Sequence, residues 1–326
     1  MRTYHSHYPS INNDSRPADK VLQDILMVWH AFLLNPHDYD QACRRDSLTR
    51  VAALRFPWED VHAAIDAGPR NWSYVLPKAS AAWTRDHADM EPDLYHYLAS
   101  AGKTPNAIAT ALARYGSPDD APDLALTTPL NTAGHGPREA AFLTLLHQAA
   151  LDKAPNAPLV ANVQRQTAFV DKMQAQLWLR SPAAQGTLRR AGERYAQFLR
   201  LFQLAPRQML VPTLDIDLVW HTHQCSAGVY RASVERRTGV FLDHDDKIGK
   251  ERLEGGMAGT SREFLRRFGE EYDRCCCWDC EAIMDALEEN DGPGGQEEGM
   301  EVLAERVREK VRYYRCVEIF RWWVKQ

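Results

Sequence analysis

The segment Asp24-Ile-Leu-Met-Val-Trp-His30 returns as Asp215-Ile-Asp-Leu-Val-Trp-His221. In each copy a tyrosine stands ten residues after the tryptophan: Tyr39 after Trp29, and Tyr230 after Trp220. Tryptophan and histidine are scarce residues, so matches at Asp, Ile, Val, Trp, His and Tyr in one register point to two equivalent structural elements. The first copy lies in a stretch, 18–34, where Ile25, Val28, Trp29 and Phe32 recur at helical spacing and Pro36 is placed to end the helix. The second copy is read as a helix by analogy. As a strand it would instead put Asp215, Asp217, His221 and His223 on one face.

The helical period recurs along nearly the whole chain. Phe56-Pro57-Trp58 signals a helix start, with Gly68 past its end, and helices are expected over 138–151 and 162–179, the latter with a stripe of Val163, Val170, Met173 and Leu177. Ser181-Pro182 reads as an N-cap and first-turn proline, followed by Leu188, Ala191, Tyr195, Phe198 and Phe202 on one face. Thr260-Ser-Arg-Glu263 resembles a capping box ahead of Phe264, Phe268 and Tyr272. The tail repeats Leu303, Val307, Val311, Tyr314, Val317, Phe320 and Val324 at spacings of three and four, after an acidic, glycine-rich connector at 288–299 that reads as mobile. No run alternates as a strand would. The expected fold is mainly α, a multi-helix globular bundle. An Ala/Pro/Gly-rich segment, 103–137, with one short helix near 107–114, is expected to connect an N-terminal half (1–102) to a C-terminal half (138–326).

The balance of 39 basic and 44 acidic residues gives a net charge of -5, which argues against a broad nucleic-acid surface. The polar start, 1–14, has no apolar signal core, and no stretch approaches the roughly 20 apolar residues that span a bilayer. Seven cysteines, four of them between Cys275 and Cys280, suit free thiols in a reducing compartment better than a disulfide framework. A cytoplasmic or nuclear protein is expected.

Residues able to carry chemistry cluster around the second copy. On a helix Asp217 sits one turn before His221, where a carboxylate fixes a tautomer and raises basicity, as both metal ligation and general-base catalysis require; Gln224 and Cys225 continue that face. His223 diverges from His221 by about 160° on a helix, so the two could chelate one ion only on a strand or irregular turn. His244, between Asp243 and Asp245, adds an imidazole to a set suited to Zn²⁺, Fe²⁺ or metal-free acid–base work. Cys275, Cys277 and Cys280 contain a C-x₂-C bite and suit Zn²⁺, with His244 or Cys225 as a further ligand; the alternatives are an unligated thiol cluster or a redox-active thiol. The tail mixes basic residues with Tyr313, Trp322 and Trp323, a combination that can hold single-stranded RNA, but its apolar stripe and interleaved glutamates favour packing.

Leu214-Asp-Ile-Asp-Leu-Val-Trp-His-Thr-His-Gln224 resembles the signature of the glycine-rich domain-containing protein-like (GRDP-like) family. The resemblance continues through Asp243-His-Asp-Asp-Lys247, Phe268-Gly-Glu-Glu-Tyr272 and Cys275-Cys-Cys-Trp-Asp-Cys280. Met27-Val-Trp-His-Ala-Phe-Leu-Leu-Asn-Pro36 is similar to the family's upstream block in its fungal form. The resemblance implies no assigned reaction; RNA binding has been suggested for some plant members with glycine-rich tails, an extension this chain lacks. An N-terminal truncation or a short member is expected from how near the start the first motif falls.

Three functions remain in play. The first is an enzyme or small-molecule binder with a pocket between the two Trp-His helices. There His221 is base or ligand, Asp217 its orienter, His30 a second polar wall and His223 a further candidate, while Trp29, Trp220, Tyr39, Tyr230 and Gln224 line the ligand. The second is a non-catalytic interaction module bound by a protein partner, in which the same residues are packing groups. RNA binding is third. The first is preferred because paired histidines beside tryptophans in both halves exceed what packing needs.

Overall fold

A computed structural model describes residues 23–45, 49–65, 74–88, 92–93, 134, 137, 140–141, 144, 157–245, 248–291 and 299–324. Its helices are α1 (Gln23–Leu33), α2 (Pro36–Arg45), α3 (Thr49–Ala52), α4 (Trp58–Ala63), α5 (Lys78–Ala88), α6 (Ala157–Gln176), α7 (Ala184–Leu204), α8 (Leu214–Gln224), α9 (Ala227–Thr238), α10 (Lys250–Phe268), α11 (Trp278–Asn290) and α12 (Met300–Val324). Among the described residues the strand-type pairing recorded is an isolated bridge, Ile65 with Tyr74, so the mainly-α expectation holds. The expected helix at 107–114 lies outside the described residues. Within 138–151, residues 140, 141 and 144 are helical, and Thr144 Oγ1 donates to the Ala140 carbonyl at 2.8 Å.

The chain groups into two compact units, each assembled from separated segments: Met1–Ala31, Phe56–Gly68 and Trp72–Val163 in one, Phe32–Arg55, Pro69–Asn71 and Gln164–Gln326 in the other. In the first unit, Phe56 gathers three rings. Trp29 lies 5.6 Å, His30 5.8 Å and Trp58 4.5 Å from it, centroid to centroid.

In the second unit α7 is the central element. Its face Tyr195, Phe198, Leu199 and Leu201 is buried against Ile216 and Trp220 of α8, Tyr230 and Val234 of α9, and Phe264 of α10, with Leu242 and Tyr272 closing the cluster. Farther toward its N-terminus α7 meets α11. There the carboxylate of Asp285 closes on Gly186, and a Cβ at this position would stand 1.4 Å from Asp285 Oδ1 and displace it. Ala282 and Ala286 of α11 then pack with Leu303, Val307 and Val311 of α12 and with Trp278 and Ala183.

Two buried guanidiniums on α7 fasten these layers. Arg190 Nη2 donates to Glu281 Oε2 at 2.6 Å, and its Nη1 reaches Asp285 and Glu288 at 3.2 and 2.8 Å. Arg194 Nε donates to Asp215 Oδ2 at 2.7 Å, while its Nη2 donates to the Tyr272 carbonyl at 2.7 Å and to Thr213 Oγ1 at 3.2 Å. Thr213 Oγ1 donates in turn to Asp215 Oδ1 at 2.5 Å. The aspartate that opens the second motif copy therefore anchors α8 to α7 and to the chain leaving α10.

Several local expectations change. Pro36 opens α2 immediately after α1 ends at Leu33, consistent with proline's fit to a first helical turn. Ser181 Oγ accepts from the Ala183 N–H at 3.0 Å in a turn that precedes α7, so the helix starts two residues after Pro182. Thr260 sits mid-helix in α10, not at its start. Its hydroxyl donates to the Gly256 carbonyl and accepts from the Val211 N–H, so the capping-box pattern is used for a loop contact. Leu188 and Val170 face solvent. The tail stripe is buried only at Leu303, Val307 and Val311; Tyr314 and Phe320 are exposed, because the Ala face of α11 that covers this helix ends before they are reached. Helix α11 also runs to Asn290, shortening the expected connector.

Truncating one member of a buried, hydrogen-bonded ion pair leaves the other charged and desolvated, at roughly 3–5 kcal/mol. Arg194→Ala should destabilise the fold by about that amount in urea denaturation. A loss below about 1 kcal/mol, the level of a surface pair, would show that Asp215 does not depend on Arg194.

Candidate metal and catalytic site

Helix α8 places Asp217 and His221 on one face, one turn apart, as their spacing requires. The third member, His244, comes from the extended segment after α9. His244 Nε2 lies 3.1 Å from Asp217 Oδ1 and 3.1 Å from His221 Nε2, and His221 Nε2 lies 3.5 Å from the same carboxylate oxygen. The three ligand atoms form a tight triangle.

Its surroundings are built from four elements. The Phe169 ring of α6 covers His221 at 4.3 Å between centroids, and Trp220 stands edge-on to His244 at 5.0 Å. His221 is 5% exposed, while the Asp217 side chain is 20% exposed. Burial opposes ionisation of Asp217, but the hydrogen bond with His244 and the charges of His221, His244 and Lys172 outweigh it and hold the carboxyl below its ordinary range. The site therefore presents a carboxylate to two imidazoles.

Position of His244 is set through the backbone. The Tyr230 hydroxyl accepts from Trp220 Nε1 at 2.9 Å and donates to the Leu242 carbonyl at 2.9 Å. This is the structural meaning of the ten-residue Trp–Tyr spacing: it ties α8 to α9 and then to the segment bearing His244. Burial pushes the Tyr230 hydroxyl up to about 12, so it stays a donor. From α2, His37 Nε2 contacts the Phe241 carbonyl at 3.0 Å and the His37 N–H donates to Asp243 Oδ1 at 3.2 Å. Arg231, paired with Asp40 at 2.7 Å, lies over the Phe241 ring. Gln224 is buried beside Tyr230.

The remaining sequence candidates are placed elsewhere. His223 turns to the other side of α8, where the Tyr195 hydroxyl meets its Nδ1 at 2.9 Å; burial and then Arg237 lower its basicity. In the first motif copy the Tyr39 hydroxyl donates to the Val51 carbonyl at 3.1 Å, while Trp29 Nε1 is buried with no hydrogen-bond partner among the described residues. His30 belongs to the first compact unit and His221 to the second. His244 joins Asp217 and His221 and not the cysteines, because the Tyr230 bond to Leu242 holds its segment on α8. Cys225 is fully buried, with its thiol pushed up to about 12 by burial. All seven cysteines are free thiols. Phe169 and Lys172 were invisible as site residues in the sequence, where they are simply members of an amphipathic helix. A shallow depression lined by Leu204–Gln208, Glu263 and Arg266 shares no residue with this cluster.

Residues 141–233 match the family described as glycine-rich domain-containing protein-like. The matched segment holds Phe169, Arg194, Asp215, Asp217, His221 and Tyr230; His244 and the cysteine cluster follow it. The chain is similar to two proteins of Arabidopsis thaliana, glycine-rich domain-containing protein 2, at 32% identity over 133 residues, and glycine-rich domain-containing protein 1, at 33% over 133 residues. Each match covers 38% of this chain and 16% of the plant protein's length. No solved structure matches significantly.

Burial lowers the basicity of His30. A histidine whose folded pKa lies below the unfolded value of about 6.5 binds more protons unfolded, so its stability contribution is complete above about 6.5 and falls away with acidification through the folded pKa. The first unit should therefore lose stability below about pH 6.5, and His30→Phe should remove that component. Identical pH profiles of unfolding for the two proteins would refute this.

Proposed function

We propose that the second unit is a metal-dependent centre of an enzyme or small-molecule binder, with Asp217, His221 and His244 as ligands to one first-row divalent ion, Zn²⁺ or Fe²⁺. The single observation that carries this is the triangle of ligand atoms at 3.1, 3.1 and 3.5 Å. Ligands about 2.1 Å from one ion stand about 3.0 Å apart at right angles and about 3.4 Å apart at the tetrahedral angle, so these separations suit three ligands on one side of an ion. Protons alone satisfy the arrangement poorly. Each Nε2 carries one hydrogen at most, and if both do, the His221–His244 contact sets two donors against each other. Two histidines and one carboxylate also match the donor set of sites that keep open positions for substrate.

Such an ion would supply Lewis-acid activation or a bound hydroxide near neutral pH. The chain's own residues hold the geometry: Arg194 and Asp215 fix the start of α8, Tyr230 fixes the His244 segment, and Phe169 shields His221. Trp220 and Gln224, buried on the same helix as Asp217 and His221, are the candidates to contact the bound molecule. The upstream block around Trp29 supports a fungal form of the GRDP-like family, and the thiols support a reducing compartment, cytoplasmic or nuclear.

A second reading, an interaction module, is favoured by one observation: Ile319, Phe320, Trp322 and Trp323 are all exposed on α12. A stable protein partner recovered through that helix, with no response of any ligand to His221→Ala, would select it.

Metal content of the purified chain and thermal unfolding with added Zn²⁺ test the centre. In a chain whose Cys275, Cys277 and Cys280 are replaced by serine, so that the cysteines take no part, free Zn²⁺ at 100 times Kd should stabilise the fold by about 2.7 kcal/mol, and Asp217→Ala, His221→Ala and His244→Ala should each abolish that increment while retaining helical circular dichroism. An unchanged Zn²⁺ response in all three would sink the reading.

A further inference from the structure

A second cluster of chemistry-bearing side chains lies at the start of α11 and shares no residue with the Asp217 centre. Gly269, at φ 72°, ends α10, and the chain then runs through buried Tyr272 to Cys277, which caps α11 in an extended conformation with φ -73° and ψ 160°. In extended backbone alternate residues face the same way, so Cys275 and Cys277 project together and Cys276 projects opposite. Three residues after Cys277, Cys280 returns on the first helical turn. The three sulfurs all lie within 4.8 Å of one another.

Bonds from outside the cluster help to hold this convergence. Trp178 Nε1 donates to the Cys276 carbonyl at 2.8 Å, and Trp278 Nε1 donates to the Gln176 carbonyl at 2.9 Å. Two indoles thus clamp the main chain on either side of Cys277 against the end of α6. Arg194 holds the Tyr272 carbonyl just upstream. The side chain of Cys276 is directed away, toward the Arg274 carbonyl at 3.6 Å, which leaves Cys275, Cys277 and Cys280 as a set.

Three sulfurs exceed what a disulfide uses. Tetrahedral Zn²⁺ with Zn–S of about 2.3 Å needs sulfurs about 3.8 Å apart, a spacing within reach of side-chain rotation here. Cys275 and Cys280 are exposed, so a fourth position opens to solvent. The order of the surrounding backbone means that binding would not require the loop to fold around the ion.

We propose that Cys275, Cys277 and Cys280 form a three-thiolate site for a thiophilic ion, with Zn²⁺ as the resident ion and a water in the fourth position. The site pins the entry of α11 to the segment leaving α10.

Titration of the reduced full-length chain with Co²⁺ under anaerobic conditions provides the test. Expected is thiolate-to-cobalt charge transfer with the strong visible bands of tetrahedral cobalt, saturating at one equivalent in the His221→Ala chain, where the Asp217 centre does not compete, and displaced by Zn²⁺. Replacing Cys275, Cys277 and Cys280 together with serine should abolish the charge-transfer band, whereas Cys276→Ser and Cys316→Ser should retain it. His221→Ala should also retain it, which separates failure of this site from failure of the Asp217 centre. Absence of charge transfer with all thiols reduced, or its survival in the triple serine variant, would overturn the proposal. So would purification of the chain with Cys277 and Cys280 joined as a disulfide that must be reduced before any ion binds.

Discussion

The buried pair of Arg194 and Asp215 organises the second unit. Both groups are almost fully shielded, a situation that is unfavourable unless every lone pair and N–H is occupied. Here they nearly are: Arg194 serves Asp215, Thr213, and the carbonyls of Tyr272 and Glu271. One side chain thereby joins α7, the start of α8 and the segment after α10, and the rings of Phe264 and Tyr272 flank its guanidinium. Both groups of functional interest hang from this hub. Asp217 and His221 follow Asp215 on α8, and the cysteines follow Tyr272.

The pattern of residues carried much of this. The helical class followed from apolar spacing of three and four, and the Asp217–His221 relation followed from helix geometry once the second copy was read as α. His223 turned away from His221 for the reason its two-residue spacing implied. The inclusion of His244 with Asp217 and His221 depended on a tertiary bond, Tyr230 to Leu242, between residues twelve apart. Nothing in the local sequence announces it, and the first copy has the same Trp–Tyr spacing without the relay.

Other features were hidden for different physical reasons. Phe169 reaches His221 from a helix far upstream in sequence, and its spacing in α6 is that of any core residue. Arg190 and Arg194 resemble solvated arginines on an amphipathic helix, yet both are buried because acidic and carbonyl partners arrive from α8, α11 and the segment after α10. Thr260 looked like a cap because Thr and Glu three apart serve that purpose at a helix start. Within α10 the same hydroxyl is recruited by Val211, and Gly256 and Gly259 permit the approach of neighbouring side chains. The distal tail stripe is exposed at Tyr314 and Phe320, since periodicity records which residues share a face but not how far a partner helix extends along it.

The Tyr230 relay has an evolutionary corollary. Because His244 is indexed from a main-chain carbonyl, the identity of the exposed Val240 can drift without displacing the imidazole. The number of residues between Tyr230 and His244 cannot, since one insertion would hand the hydroxyl a different carbonyl and rotate another side chain into the place beside His221. Length in this short segment is therefore under constraint alongside the side chains of Phe241, Leu242 and Asp243.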